Sequence, residues 1–263
     1  MIKKYLRVYR VCIANSFSYE AQYRKDTIFK FFTNLLFIGM MFTIIEVIFG
    51  QTNAITGWSK AEIYLMTSFW ILADEIYACL FSANLPFIPD AIVNGDLDLL
   101  IVKPISPLFL ASMMRLLVRG FFRFLTQLII LIVILWKFHL TFSLSRSLLA
   151  TALMLVAVWI DYSRVLIANT FSFWFLKIDN INEAIGYINA LGKYPLNIWP
   201  KAVKILFLTA LPVVFTGFIP TATLTGRWPW YGVAYAFWFA AFLFLVAVRF
   251  WNFALRRYSS ASS

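Results

Sequence analysis

An all-α, polytopic membrane protein with six transmembrane helices is the fold this sequence predicts, and three observations carry the prediction. Of the 263 residues, 62% are hydrophobic and 13% charged, with a mean hydropathy of +0.80; a soluble domain is about 45–50% apolar and about 25% charged. Apolar runs recur at about 28–49, 62–85, 115–136, 148–172, 202–220 and 230–250, each near the roughly 20 residues that cross a hydrocarbon core. Lys and Arg crowd alternate connections between those runs, as they do on the cytoplasmic side of a membrane. The chain therefore reads as one unit: 1–27 an interfacial helix, 28–250 six spans and 251–263 a tail, with little room for a separate soluble domain.

In the first element, "MIKKYLRVYR" precedes "SFSYEAQYRKD" with no long apolar core or small-residue cleavage site between them, so it is expected to remain in the mature protein. On a helical wheel Ile2, Leu6, Tyr9, Ile13 and Phe17 share one face and Lys3, Lys4, Arg7 and Arg10 the other. That pattern predicts an amphipathic helix lying on the membrane surface. With the amino terminus inside, eighteen Lys and Arg residues fall on the cytoplasmic side, including Lys177, Lys193, Lys201 and Lys204, against four outside: Lys60, Lys137, Arg146 and Arg227. Both termini are then cytoplasmic. Tryptophans are expected at the interfaces, Trp58, Trp136, Trp228 and Trp230 outside and Trp174, Trp199 and Trp251 inside.

The second and third spans are joined by "NGDLDLLIVKPISP", residues 94–107, a polar island on the cytoplasmic side. Its two prolines suit a short interfacial element bounded by turns. A solvated loop is one reading. A docking element is the other, in which Asp96, Asp98 and Lys103 present charge to a partner while Leu97, Leu99, Leu100 and Ile101 fill a groove on it.

Charges inside the spans are costly and face a partner or a water-filled path. The second span carries Asp74 and Glu75, the third Arg115, Arg119 and Arg123 at four-residue spacing, and the fourth Asp161 and Arg164. Antiparallel neighbours put Asp74 or Glu75 at the depth of Arg123, and Asp161 and Arg164 share a helix face. Interhelical ion pairs, a substrate path and a proton relay all fit this set. Glu46, near the outer end of the first span, reads as interfacial.

In the last two spans, Pro212 predicts a kink in the fifth helix. "FIPTATLTGRWPW", residues 218–230, predicts a turn-rich outer connection with room for a short re-entrant piece. Gly232, Ala236 and Ala240 form a small-residue ribbon on the sixth span that suits close helix packing.

Several chemistries are excluded. Cys12 and Cys79 lie far apart and His139 is the sole histidine, so no metal site or disulfide framework is expected. "GYINALGKY", residues 186–194, fails as a phosphate loop, with five residues between its glycines and Tyr194 after the lysine; it reads as a helix ending at Gly192 before a Tyr194-Pro195 turn. No catalytic set emerges, and an enzyme is not expected. The net charge of +11 is explained by topology, without nucleic acid.

Three stretches in order, "IVNGDLDLLIVKPISPLF", "KYPLNIWPKAVKILFLTALPVVFTGFIPTATLTG" and "FWNFALRRYSSASS", resemble the permeases of the type-2 ABC exporter class, and more narrowly its six-span ABC-2 family. The positions carrying the resemblance are Gly95, Asp96, Leu97, Asp98, Leu100, Lys103 and Pro104, then Tyr194 and Pro195, then Trp251, Leu255, Arg256, Tyr258 and Ser259. The resemblance implies a cytoplasmic coupling helix within residues 88–107, seated in a cleft of an ABC ATP-binding subunit. It implies ATP and Mg on that subunit and no cofactor on this chain. It further implies a second permease copy or a related permease, membrane lipids as partners, and a multi-pass place in the bacterial plasma (inner) membrane. An ATP-driven exporter of amphipathic, lipid-linked or glycan-type cargo is the function expected. A proton-coupled secondary transporter using Asp74, Glu75 or Asp161 is the alternative, and a lipid-acting membrane enzyme a third reading without a catalytic set.

Overall fold

The computed structural model describes residues 2–175 and 180–258; Lys177, Ser259 and the Ile2 side chain lie outside the described residues. α1 (Ile2–Gln22) leads through Tyr23 into α2 (Arg24–Phe49), and the chain returns as α3 (Lys60–Leu80). Three short helices follow, α4 (Ile88–Val93), α5 (Asp96–Ile101) and α6 (Pro107–Met113), before the long α7 (Val118–Lys137) and α8 (Leu144–Thr170). α9 (Ile181–Asn189), α10 (Lys201–Leu208) and α11 (Phe218–Leu224) are short again, and α12 (Trp230–Arg256) closes the described chain. Among the described residues the only β feature is an isolated bridge between Ile55 and Trp58.

α2, α3, α7, α8 and α12 are each long and apolar enough to cross a membrane. Their burial sorts them into layers. The most apolar stretches of α3 and α8 are 67% and 72% buried inside the chain, against 11% for α2, 22% for α7 and 28% for α12. α3 and α8 are thus the centre, with the other three helices turning apolar faces outward. α12 lies along α8 and buries Gly232, Ala236 and Ala240, the small-residue ribbon, while α7 lies along α3.

Chain direction defines two ends. Lys60, Trp230 and the 50–59 turn mark one, here the far end; α1 and α4–α6 mark the other. The far end is closed by a cluster of local bonds. Ser59 and Glu62 form a reciprocal cap on α3. Arg227 pairs with Glu62 at 2.8 Å, donates to the Gly57 carbonyl and stacks 4.5 Å from the Trp58 ring. Glu46 accepts from Lys60 and from the Tyr64 hydroxyl, which ties α2 to α3.

The stretch expected as a fifth span, 202–220, is not one helix. α10 stops at Leu208, a three-residue 3-10 turn covers Val213–Phe215, and α11 begins only at Phe218. Pro212 lies in the break, lacking an N–H for a helical bond. A different segment climbs through the bundle. Asn182 bonds Asn169 near the α1 end of α8, and Asn189 accepts from Arg164 and, through its carbonyl, from the Trp70 indole at 2.9 Å. Ile198 then shares a cleft with Phe49 and Ile55 at the far end. Residues 181–198 therefore run the depth of the bundle as α9, a 3-10 turn over Ala190–Lys193, the Tyr194-Pro195 step and another turn over Leu196–Ile198. α10 and α11 are a second excursion, whose turn at Val213–Gly217 comes back against Gly192. That approach needs glycine at both positions: a Cβ on Gly192 would collide with Val213 and Thr216, and one on Gly217 with the carbonyls of Met66 and Gly192. α11, sequence FIPTATL, is wholly buried; the polar outer connection expected there is a helix packed on α8 and α3.

This geometry corrects the side expected for three lysines: Lys193, Lys201 and Lys204 lie along the climbing segment and its far-end continuation, away from the end that carries α1. Two tryptophans also depart from the interfacial belt. Trp251 is fully buried against Phe173, and Trp199 packs edge-on to Phe207 in the excursion.

Candidate functional site

Five of the intramembrane charges lie at similar depth. At about 1.5 Å per residue, Asp74 and Glu75 sit roughly 21–23 Å from the Lys60 end of α3, and Asp161 roughly 25 Å from the Leu144 end of α8. Arg123 enters the same layer five residues into α7, which starts at the α1 end. Arg123 pairs with Glu75 at 2.6 Å, with the Glu75 side chain 3% exposed. Arg164 pairs with Asp161 at 2.7 Å and reaches Asn189, so one guanidinium links α8 to α9. Asp74 makes no direct ion pair: it is exposed in the single chain, on the helix face of Trp70 one turn earlier, within reach of the Arg123 and Asp161 charges.

Arg115, expected on the third-span stripe, precedes α7. Its backbone is clamped by the Asn84 amide, which accepts from the Arg115 N–H at 2.9 Å and donates to its carbonyl at 2.7 Å. That clamp fixes the end of α3 to the start of α7. Arg119 pairs with Glu20 of α1 at 3.4 Å. α1 lies beside α6 and α7, with Tyr5 edge-on to Phe109, Lys4 donating to the Pro104 carbonyl and Ser16 accepting from the Leu116 N–H. Burial there pushes the Tyr9 phenol and the Cys12 thiol above their ordinary values.

The 88–107 segment folds as a helical hairpin. α4 buries Ile88 and Ile92 against the core and α8, and Gly95 turns the chain at φ +78°, a conformation other residues adopt with strain. α5 then divides its leucines. Leu97 is 1% exposed and Leu100 packs on the core, whereas Leu99, Ile101 and Val102 are 62%, 38% and 78% exposed. The three-residue spacing explains the split, since 97 with 100 and 99 with 102 occupy two faces. Leu97 and Leu100, expected to fill a groove on a partner, are instead the anchor within the chain. The outward apolar face is Leu99, Ile101 and Val102, with Asp96, Lys103 and Pro104 exposed beside it.

Residues 35–262 match the family described as ABC-2 family transporter protein. The chain belongs to the ABC-2 transporter family. Among curated proteins and among solved structures, none matches it. The match covers all five continuous candidate spans in whole or in part, the hairpin and the climbing segment, so the permease identity rests on the whole bundle. As a permease the chain is a membrane transport component, and among the described residues no group of His, Cys, Asp and Glu is arranged to hold a metal ion. The permease also holds a residue that the sequence puts on the cytoplasmic side, at a helix end before a turn. Lys193 lies over the Trp70 ring at 5.3 Å and the Tyr194 ring at 5.3 Å, with Nζ 3.2 Å from the Met41 sulfur. Trp70 is ten residues from either end of α3, so this ammonium sits near the middle of the bundle's depth. The signal available in the sequence was the Gly192-Lys193-Tyr194-Pro195 run, whose glycine and proline mark a broken helix.

Proposed function

We propose that this permease is the membrane-spanning subunit of an ATP-driven exporter in the bacterial inner membrane, powered by separate ATP-binding subunits that hold ATP and Mg. The observation that carries the reading is the α4–α5 hairpin: its inner face is anchored in the core, and its outer face leaves Leu99, Ile101 and Val102 uncovered beside Lys103. An apolar, charge-flanked ridge on a rigid base suits a docking element, since its area is desolvated only when a partner covers it. Coupling follows from the anchors. A push on α5 passes through α4 to the α1 end of α8, and the Asn84 clamp holds the neighbouring ends of α3 and α7 together. Closure of two ATP-binding subunits would then tilt the helices that carry the charged layer.

We assign the amino terminus and the hairpin to the cytoplasm. Moving Lys201 and Lys204 to the far end leaves the excess of Lys and Arg at the α1 end, which the positive-inside rule puts in the cytoplasm. Exposed Leu6 and Phe17 on α1 support an interfacial helix. Residues 181–198 serve as a sixth, discontinuous crossing, and α10–α11 as a re-entrant pair from the outer side; broken backbone at membrane depth is tolerated where it packs on protein or lines a cavity.

Asp74, uncovered in the single chain within reach of the Arg123 and Asp161 charges, supports a second permease closing that face, because an uncovered carboxylate at membrane depth is costly. The path for an amphipathic, lipid-linked or glycan-type cargo would then run between two copies. The test is co-purification of the ATP-binding subunit with Leu99→Asp and Val102→Asp variants, alongside their membrane levels. Loss of the subunit at unchanged level supports the reading. Full retention and full cargo-stimulated ATP hydrolysis by both variants would sink it.

A further inference from the structure

Lys193 is the described cation that bundle depth and chemistry set apart. It is half-buried near mid-depth, roughly 15 Å from either end of α3, beyond the reach of a snorkelling side chain. The cations of the neighbouring layer have partners: Arg123 has Glu75, and Arg164 has Asp161. Among the described residues no carboxylate lies within ion-pair distance of Lys193. Its contacts are the faces of Trp70 and Tyr194 and the sulfur of Met41. Aromatic faces and a thioether hold an ammonium in place without neutralising it.

The surroundings specify what would neutralise it. From Lys193 toward the far end runs a cleft between α2, α3 and the 193–198 step, walled by Ile44, Ile48, Phe49, Ile63 and Pro195. Ile44 and Ile48 are 44% and 41% exposed, so the cleft opens sideways at membrane depth. A small hydrated anion gains nothing from such walls and pays to lose its water there. An anion carried on hydrocarbon pays that cost at its charged group too, but its chain gains from the walls. Charge complementarity at Lys193 and apolar complementarity along α2 converge on one occupant.

We propose that Lys193 and this cleft form a binding site for an anionic lipid, the phosphate paired with the lysine ammonium and a hydrocarbon chain lying along Ile44 and Ile48. The site deepens the exporter reading and rests on it only for the step that calls the lipid cargo; binding itself is a property of this chain. Lys donates to phosphate as a point charge with three hydrogens, so the site selects headgroup charge more than headgroup shape.

The experiment uses the full-length permease, released from nanodiscs of phosphatidylglycerol and phosphatidylcholine at equal amounts and weighed with its retained lipids by native mass spectrometry. The wild type should retain phosphatidylglycerol preferentially. Lys193→Met keeps an unbranched apolar stem without the charge, and should cut that preference by about tenfold, the order expected for one charge-assisted contact; Lys193→Arg should restore it. Ile48→Trp fills the cleft with the lysine intact and should lower total retained lipid. An unchanged preference in a well-folded, monodisperse Lys193→Met protein overturns the site. Displacement of the lipid by millimolar inorganic phosphate also overturns it, since the occupant would then be a soluble anion. Neither result touches docking of the ATP-binding subunit, which is read separately by co-purification at Leu99 and Val102, so failure here and failure of the exporter reading are distinguishable.

Discussion

Replacing Arg123 by Ala is the sharpest test of what the charged layer does. The Glu75 side chain is 3% exposed and Arg123 21%, at 2.6 Å, so removal of the guanidinium leaves a carboxylate with almost no access to water. Two magnitudes compete. Breaking a buried ion pair from one side costs about 3–5 kcal/mol in soluble proteins. Polar contacts between membrane helices average only about 0.6 kcal/mol, because the unfolded chain in a bilayer also finds partners. The structure favours the larger value, since the other groups beside Glu75 are the Asp74 carboxylate and the neutral Asn34 amide, and neither neutralises a buried carboxylate. Arg123→Ala should therefore lower the thermal midpoint in detergent and the membrane level markedly. Glu75→Gln with Arg123→Met, which removes both charges, should recover most of the loss, and the charge-swapped Glu75→Arg, Arg123→Glu protein should recover part. Thermal size-exclusion profiles and membrane levels of the wild type, the single variants Glu75→Gln and Arg123→Met, and their double form a double-mutant cycle. A single variant as stable as the wild type, with no coupling in the cycle, would refute the structural role. Intact assembly with transport abolished and an acid-shifted pH profile would instead favour the proton relay.

Other outcomes are equally concrete. In a background with Cys12 and Cys79 replaced by Ser, a cysteine at Ser143 should react with an impermeant maleimide in intact cells and one at Ser106 should not; the reverse pattern would invert the assigned orientation. Leu97→Asp should lower the permease level itself, whereas Val102→Asp should not, because Leu97 is 1% and Val102 78% exposed; equal levels for the two would contradict the division of α5. The Cys12 thiol is raised by burial, so at neutral pH it is held as the unreactive thiol, and its alkylation rate should still be rising with pH where an unperturbed cysteine has levelled off. A plateau at or below about 8.5, the free-cysteine value, would show that α1 does not cover it. Arg227→Ala removes an ion pair, a backbone bond and a stacked ring at once, and should loosen the far end enough to raise proteolysis of the 50–59 turn, checked by limited digestion.

How much of this was legible in the sequence depends on what hydropathy measures. Five continuous helices follow the apolar runs closely, because a helix facing lipid must be apolar over its full length. The climbing segment carries Asn182, Glu183, Asn189, Lys193 and Pro195 within eighteen residues, and its sequence reads as a cytoplasmic helix ending at Gly192 before a turn, not as a crossing. It packs beside α8 and α3, where Asn169, Arg164 and Trp70 bond its polar groups, so it has no need of the composition that hydropathy detects. The adjoining 202–220 run scored as a span for the converse reason: α11 is apolar because protein surrounds it. Depth of burial and capacity to cross are different properties, and sequence windows report their sum.

The same limit applies to the site, with a different cause. Glu75 and Arg123 were legible as a pair because two long antiparallel helices fix their depths, and Asp161 with Arg164 because both lie on one helix. Nothing comparable fixed α5, where a helix of six residues has no periodicity long enough to set its register. Leu97, Leu99, Leu100 and Val102 all looked alike until Gly95, turning at φ +78°, aimed the first and third inward. Lys193 was missed for a third reason: its meaning lies in what surrounds it, the Trp70 face from α3 and the Met41 sulfur from α2, more than a hundred residues away in the chain. A lysine in a polar loop and a lysine at mid-depth have the same letter, and only the packing of Gly192 against Val213 and Thr216 places this one in the second class. That packing makes the environment of Lys193 depend on the Gly192–Gly217 approach. A bulky residue at Gly217 should then alter lipid preference without touching the lysine.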